Sequence, residues 1–247
     1  MHIYLAPHHD DVCFSVGELA SQTGGALLNA FTISRYVAAP VDLPDEPDAQ
    51  VALISNLRRQ EDLRFTGAAG LARHDLGLSE PPVLGLKPFD LSGIADEVRH
   101  LSARLIPLLL DLLPRGGDPR RAALYCPMGI GGHRNHLSML LAVRGAYPAL
   151  AQRCAIFLYE DLHYASNARA RQQGLALVAK VFAGAELSPI VMALDPLATE
   201  RKMRLVSLYA SQHAQPPQLT DFTPASGLSP GPHEIVWRVS RPSHFQP

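Results

Sequence analysis

The chain has 247 residues, of which 47% are hydrophobic, and its 22 lysines and arginines nearly balance 23 aspartates and glutamates for a net charge of −1. That apolar share is ample for a packed core and excludes disorder of the whole chain, while the charge balance leaves no basic footprint for nucleic acid. No apolar stretch approaches the roughly 20 residues needed to cross a bilayer. No basic and apolar leader precedes the first strand, and Cys13, Cys126 and Cys154 are too widely spaced for a disulfide framework or a CxxC zinc site. The chain therefore reads as cytoplasmic, with no nucleic-acid or membrane partner and with homo-oligomers left open.

Ile3–Ala6 is a short apolar run ended by Pro7 and predicts a buried strand. Gly17–Gln22 predicts a short helix closed by Thr23-Gly24-Gly25, and Ala26–Ile33 a second buried strand, so the chain opens like the βαβ unit of a parallel sheet. Residues 37–50, with Pro40, Pro44 and Pro47, predict an irregular loop near the strand ends. Asn56–Ala69 mixes charged and apolar residues in a helical pattern. Residues 79–90, with Pro81, Pro82 and Pro88, predict another loop. Leu91–Leu113 reads as a long amphipathic helix closed by Pro114-Arg115-Gly116-Gly117. Ala122–Cys126 predicts a strand, Pro127–Gly132 a glycine-rich turn, and the residues from near Arg134 to about Ala146 a helix. Then come a strand at Cys154–Tyr159, a helix at Asn167–Ala179, a strand at Pro189–Leu194, and a helix at Pro196–Tyr209 with proline in its first turn. Beyond Gln212 the chain turns rich in Pro, Ser and Gly, before a late strand at Glu234–Val239. The alternation predicts a single α/β domain over residues 1–247. It would be a Rossmann-like three-layer fold with a mostly parallel sheet and its site at the carboxyl ends of the strands. Residues 213–233 would form an irregular Pro-rich segment that covers the site or wraps the surface.

Two motifs follow predicted strands directly. Pro7-His8-His9-Asp10-Asp11 puts four ionisable side chains at one strand end. Buried carboxylates without partners cost several kcal/mol each, which a metal ion would offset. His8 and Asp11, three apart, can face the same point. Gly129-Ile130-Gly131-Gly132-His133-Arg134-Asn135-His136 also follows a strand and opens a helix, with His133 and His136 on one face. Catalytic zinc takes three nitrogen and oxygen ligands plus a water. His8, Asp11 and His136 supply that set, and Asp10 is left beside the water, where a general base belongs. Each motif alone has a bland reading, a solvated acidic turn or a helix with two surface histidines. Both falling at strand ends of one sheet outweighs those readings. Arg59 and Glu61 are candidates for substrate hydroxyls, against an ordinary surface pair. Glu160 and Asp161 follow a strand and are placed in the pocket or in a solvated turn. Arg35 and Tyr36 are placed within reach of a sugar or in a loop. His9, Cys13, Cys126 and Trp237 read as packing residues.

At these residues the chain resembles the PIG-L/LmbE-like N-deacetylases, which cleave the N-acetyl group of glucosamine-containing substrates. His8-His9-Asp10-Asp11 matches the family's opening His-x-Asp-Asp, and Gly131-Gly132-His133-Arg134-Asn135-His136 its later glycine turn and His-x-Asp-His. Arg59-Gln60-Glu61-Asp62, Tyr159-Glu160-Asp161-Leu162, the stretch from Lys202 to Gln212, and Glu234-Ile235-Val236-Trp237-Arg238 extend the resemblance over nearly the whole chain. The Tyr-Glu-Asp element is similar to a subgroup associated with glycan or natural-product pathways. The resemblance implies one zinc ion, or another divalent metal, on His8, Asp11 and His136, with Asp10 as base. It implies that His133 stabilises the tetrahedral intermediate or protonates the leaving amine. The implied reaction is hydrolysis of an N-acetyl or related amide on a small amino-sugar-like molecule, releasing acetate. Two positions depart from the family. Asn135 stands where the family has Asp, so a neutral partner beside His133 predicts a lower pKa for that histidine. His163 stands where the subgroup has Pro. These departures also allow a binding protein that has lost turnover. A metallophosphoesterase is a third reading, opposed by the lack of a ligand set for a second ion.

Overall fold

The computed structural model describes residues 1–116 and 118–240; Gly117, at the end of the predicted helix stop, lies outside them. The elements are β1 (His2–Ala6), α1 (Asp11–Thr23), β2 (Gly25–Ile33), α2 (Pro47–Ala69), β3 (Leu71–Ser79), α3 (Ile94–Leu112), β4 (Ala123–Pro127), α4 (Arg134–Leu150), β5 (Ala155–Tyr159), α5 (Ala168–Val181), β6 (Glu186–Ala193), α6 (Pro196–Val206) and β7 (His233–Ser240). They build one sheet in the order β3-β2-β1-β4-β5-β7-β6. The pairs from β3 across to β5 are parallel, and β7 runs antiparallel to both β5 and β6. No described helix is long and apolar enough to cross a membrane.

β1 lies in the middle of this sheet, with Ile3 opposite Ala26 of β2 and Leu124 of β4. Its residues Ile3, Tyr4, Leu5 and Ala6 are fully buried. A parallel strand covered by helices on both faces reads as such a continuous apolar run. The chain steps from β1 to β2 to β3 in one direction, then returns across to β4 and β5 in the other. Right-handed crossovers then put α1 and α2 on one face and α3 and α4 on the other. The order reverses between β1 and β4, the switch point at which open α/β sheets place a crevice outside the carboxyl ends of the strands.

Three elements differ from their sequence expectations. α1 starts at Asp11, inside the acidic motif, and is broken at Val16 (φ −138°, ψ 34°). Only the part after the break matches the predicted short helix. The broken turn frees backbone groups, and an ion pair from the far end of the chain satisfies them. Glu234 accepts from the N–H groups of Glu18 (3.0 Å) and Leu19 (2.9 Å), while Lys202 Nζ donates to Glu234 (3.0 Å) and to the Ser15 carbonyl (3.4 Å). α2 starts at Pro47, inside the predicted loop, with proline in its first turn. β3 is a strand where none was expected. It is an edge strand, and its Arg73-His74-Asp75 centre breaks the apolar run expected of a buried strand.

Candidate active site

The two histidine-bearing turns are the connections after β1 and β4, and the pairing of those strands brings them together. In the first, the His8 backbone N–H donates to Asp11 Oδ2 at 2.7 Å, which closes the turn on the carboxylate three residues ahead. Tyr209 OH fixes the same turn from outside by donating to the His9 carbonyl at 2.8 Å. In the second, Gly131 has φ +92°, and a Cβ there would run into the Tyr164 ring, so only glycine fits. His133 then caps α4, its Nδ1 accepting the Asn135 N–H at 3.3 Å.

His8, Asp11 and His136 converge. His8 Nδ1 is 3.2 Å from Asp11 Oδ2 and 3.3 Å from His136 Nε2, and His136 Nε2 is 3.4 Å from Asp11 Oδ1. All three are buried. The far nitrogen of each ring is also engaged: His8 Nε2 lies 3.0 Å from Asn135 Oδ1, and His136 Nδ1 lies 2.6 Å from Asp161 Oδ1. Two imidazole nitrogens and a carboxylate facing one point, each imidazole braced from behind, is the donor arrangement a divalent cation of zinc's type takes. His133 offers a further nitrogen to the same cluster. Burial would push the His8 pKa down, but the neighbouring Asp11 carboxylate raises it to about 9. Burial would push the Asp11 carboxyl up, but His136 and then His8 hold it well below the usual carboxylate range. A cation placed there would take over the role of the proton on these rings.

A second group, His9, Asp62 and Asp75, also gathers ligand-type atoms. The Arg73 guanidinium occupies it, bonded to His9 Nε2 at 3.1 Å, to Asp75 at 2.6 Å and to Asp62. That guanidinium already supplies the positive charge a second ion would bring.

Asp10 points into the cavity beside the cluster and accepts from Arg58 Nη2 at 2.8 Å. Arg58 is itself clamped by Glu80 at 2.7 Å and by Ser34 Oγ at 3.0 Å. The cavity measures about 530 Å³. Around the histidines and Asp10, its wall includes Tyr36 and Phe89, both more than half exposed, together with His163, Tyr164 and Asp221. The 213–233 segment borders the cavity through His213, Asp221 and Phe222, with the Phe222 ring 4.9 Å from that of Phe14.

Several of the expected site residues lie away from the cavity wall. Arg59 is exposed and does not line the cavity; Arg58, one position earlier in α2, faces the site instead. Glu61 accepts from Ser211 N (2.7 Å) and Oγ (2.6 Å) and so ties the chain after α6 to α2. Glu160 is gripped by Arg171 through two bonds of 2.7 Å and by Trp237 Nε1 at 2.9 Å, away from the cavity. Asp161 is equally buried, and it holds His136 while accepting the Ile130 N–H at 2.8 Å. Neither lines the cavity, and both side chains are held by protein partners. Arg35 is exposed outside the cavity, whereas Tyr36 lines it. The Asn135 side chain does not face His133 at all; it bridges His8 and Glu97. The His133 pKa is nevertheless pushed down to about 2, by burial first and then by His8 and His136. A neutral His133 whose Nδ1 accepts carries its proton on Nε2. Arg58, Glu80 and Glu97 went unrecognised in the sequence. The helical phase of α2 was the one signal available, and it separates Arg58 from Arg59 only once the buried face is known.

No family model matches the chain. A 2'-N-acetylparomamine deacetylase of Streptomyces fradiae is 28% identical over 228 residues, which span 85% of this chain and 72% of the relative. Among solved structures, a deacetylase of the teicoplanin biosynthesis pathway superposes with a TM-score of 0.71 at 20% identity, covering 99% of both chains. The zinc-inhibited form of teicoplanin deacetylase gives a TM-score of 0.68 at 20% identity, again over 99% of both chains. At such identities these structures establish the α/β fold. The chain is thus similar in sequence to a deacetylase of an N-acetylated amino sugar and shares the α/β fold of the teicoplanin deacetylases.

Proposed function

We propose that the chain is a zinc-dependent deacetylase that hydrolyses an N-acetyl amide on a small amino-sugar-like molecule, releasing acetate and a free amine. The observation that carries this reading is the convergence of His8 Nδ1, Asp11 and His136 Nε2 within 3.2–3.4 Å of one another, at the floor of a cavity that also holds Asp10. The substrate class is supported by the relative's action on an N-acetylated paromamine. Zinc held there would polarise the amide carbonyl and make water acidic near neutral pH. Asp10, oriented by Arg58, takes the proton of the attacking water. His133 donates from Nε2 to the developing oxyanion, as a preorganised donor in a buried site. Protonation of the departing nitrogen by Asp10 returns the carboxylate to its starting state.

The test is acetate release by metal-analysed protein across a panel of N-acetyl amino sugars, with phosphate release from phosphate esters measured alongside. Zinc near one per chain and acetate release are expected. Asp10→Asn should lower kcat by about 10²–10⁴ while keeping the metal. Zinc-saturated protein that releases no acetate from any of them, or phosphate instead, overturns the reading.

A further inference from the structure

Asn135 replaces the aspartate of the related motif, and its contacts give the substitution a physical meaning. Oδ1 lies 3.0 Å from His8 Nε2, and Nδ2 donates to Glu97 Oε1 at 3.0 Å. Glu97 stands in the first turn of α3, outside every motif the sequence offers. Its carboxylate also accepts from Ser138 Oγ at 2.7 Å and from Arg134 Nε. Arg134 is fixed in turn by the carbonyls of Asp90 (2.8 Å) and Ser92 (2.7 Å).

An ionised carboxylate only accepts hydrogen bonds, so Glu97 dictates which end of the Asn135 amide faces it. The amide nitrogen must point to Glu97, and the amide oxygen therefore points to His8. That oxygen also only accepts, so His8 carries a proton on Nε2. The Nδ1 lone pair is then the one left for the point shared with Asp11 and His136.

We propose that Glu97 is a positioning residue for the metal centre: acting through Asn135, it selects the His8 tautomer that presents Nδ1 to the cation. His136 has its carboxylate, Asp161, in direct contact. His8 has its carboxylate one amide further back. With aspartate at 135, Glu97 would face a second carboxylate, so the identities of positions 97 and 135 are coupled. The proposal rests on the metal reading above.

Two measurements on the full chain test it. In zinc-loaded wild-type protein with ¹⁵N-labelled histidine, His8 Nε2 should bear the proton and Nδ1 the metal; a proton on His8 Nδ1 overturns the proposal. In metal-stripped protein titrated with zinc against a chelator, Glu97→Gln should weaken binding by about 10–100-fold, because a glutamine amide can present either end to Asn135. Ser138→Ala removes a Glu97 partner outside the relay and should leave the zinc affinity unchanged. Asn135→Asp should weaken binding, and Glu97→Gln added to it should restore binding, since the side-chain amide introduced at position 97 can donate to the new carboxylate. Wild-type affinity in Glu97→Gln, or a double variant no tighter than Asn135→Asp, overturns the relay and leaves the metal site standing. A wild-type chain that binds no zinc sinks both readings.

Discussion

Arg58 and Arg59 are adjacent in sequence, yet the 100° step between helical neighbours sends one to the cavity and the other to solvent. Arg58→Ala should leave the buried Glu80 and partly buried Asp10 carboxylates without their shared cation and destabilise by about 3–5 kcal/mol. Arg59→Ala should stay within about 0.5 kcal/mol of wild type. Urea unfolding of the two variants separates these expectations, and equal losses would remove the distinction. His9 gives a second prediction at this scale. Burial first, then Arg58 and Arg73, depress its pKa to about 2, from an unfolded value of 6.5. The folded form therefore excludes a proton that the unfolded chain takes up below pH 6.5. The stability tied to this neutrality is complete above pH 6.5 and falls with pH by about 1.4 kcal/mol per unit. In metal-stripped protein, His9→Gln should flatten the loss between pH 6.5 and 4.5 by about that slope, and an unchanged slope would exclude His9 as its source.

The elements were legible where one face or both faces are buried. β1, β2, β4 and β5 are apolar runs because helices cover them, so their residues announced them. β3 pairs on one side only and carries Arg73 and Asp75 to the His9–Asp62 group, so it lacked that signature. α1 shows the same principle in reverse. Its break at Val16 is stable because Lys202 and Glu234, both fully buried, serve the backbone groups that the break exposes. Lys202→Met would leave Glu234 as a buried charge with only two N–H partners, at an expected loss of about 3–5 kcal/mol. Adding Glu234→Gln should recover part of it. A Lys202→Met variant as stable as wild type would show that the pair is not needed to hold the kink.

At the scale of the whole molecule, the site exists because β1 and β4 lie side by side at the point where the strand order reverses, and the turns that follow them meet there. Residues 128 positions apart thereby put two imidazole nitrogens 3.3 Å from each other. Zinc bound to this arrangement and not to the unfolded chain should stabilise it by mass action, about 2.7 kcal/mol at a hundredfold excess over Kd. Thermal melts with and without a chelator should show the shift in wild type and lose it in His136→Ala. A wild-type melt insensitive to zinc would count against the cluster as a metal site.

The order of residues alone determined the α/β architecture and located the two polar turns, because apolar runs and i, i+3 spacings are set by neighbours in the chain. It brought forward His8, Asp10, Asp11, His133 and His136 for the same reason, since each sits in a short, unusual cluster. Only the tertiary structure decided what braces them: Asp161 behind His136, Asn135 and Glu97 behind His8, and Arg58 beside Asp10. Those partners come from other elements, and their choice depends on helix phase and side-chain direction. Packing fixes both, and no local pattern encodes either one.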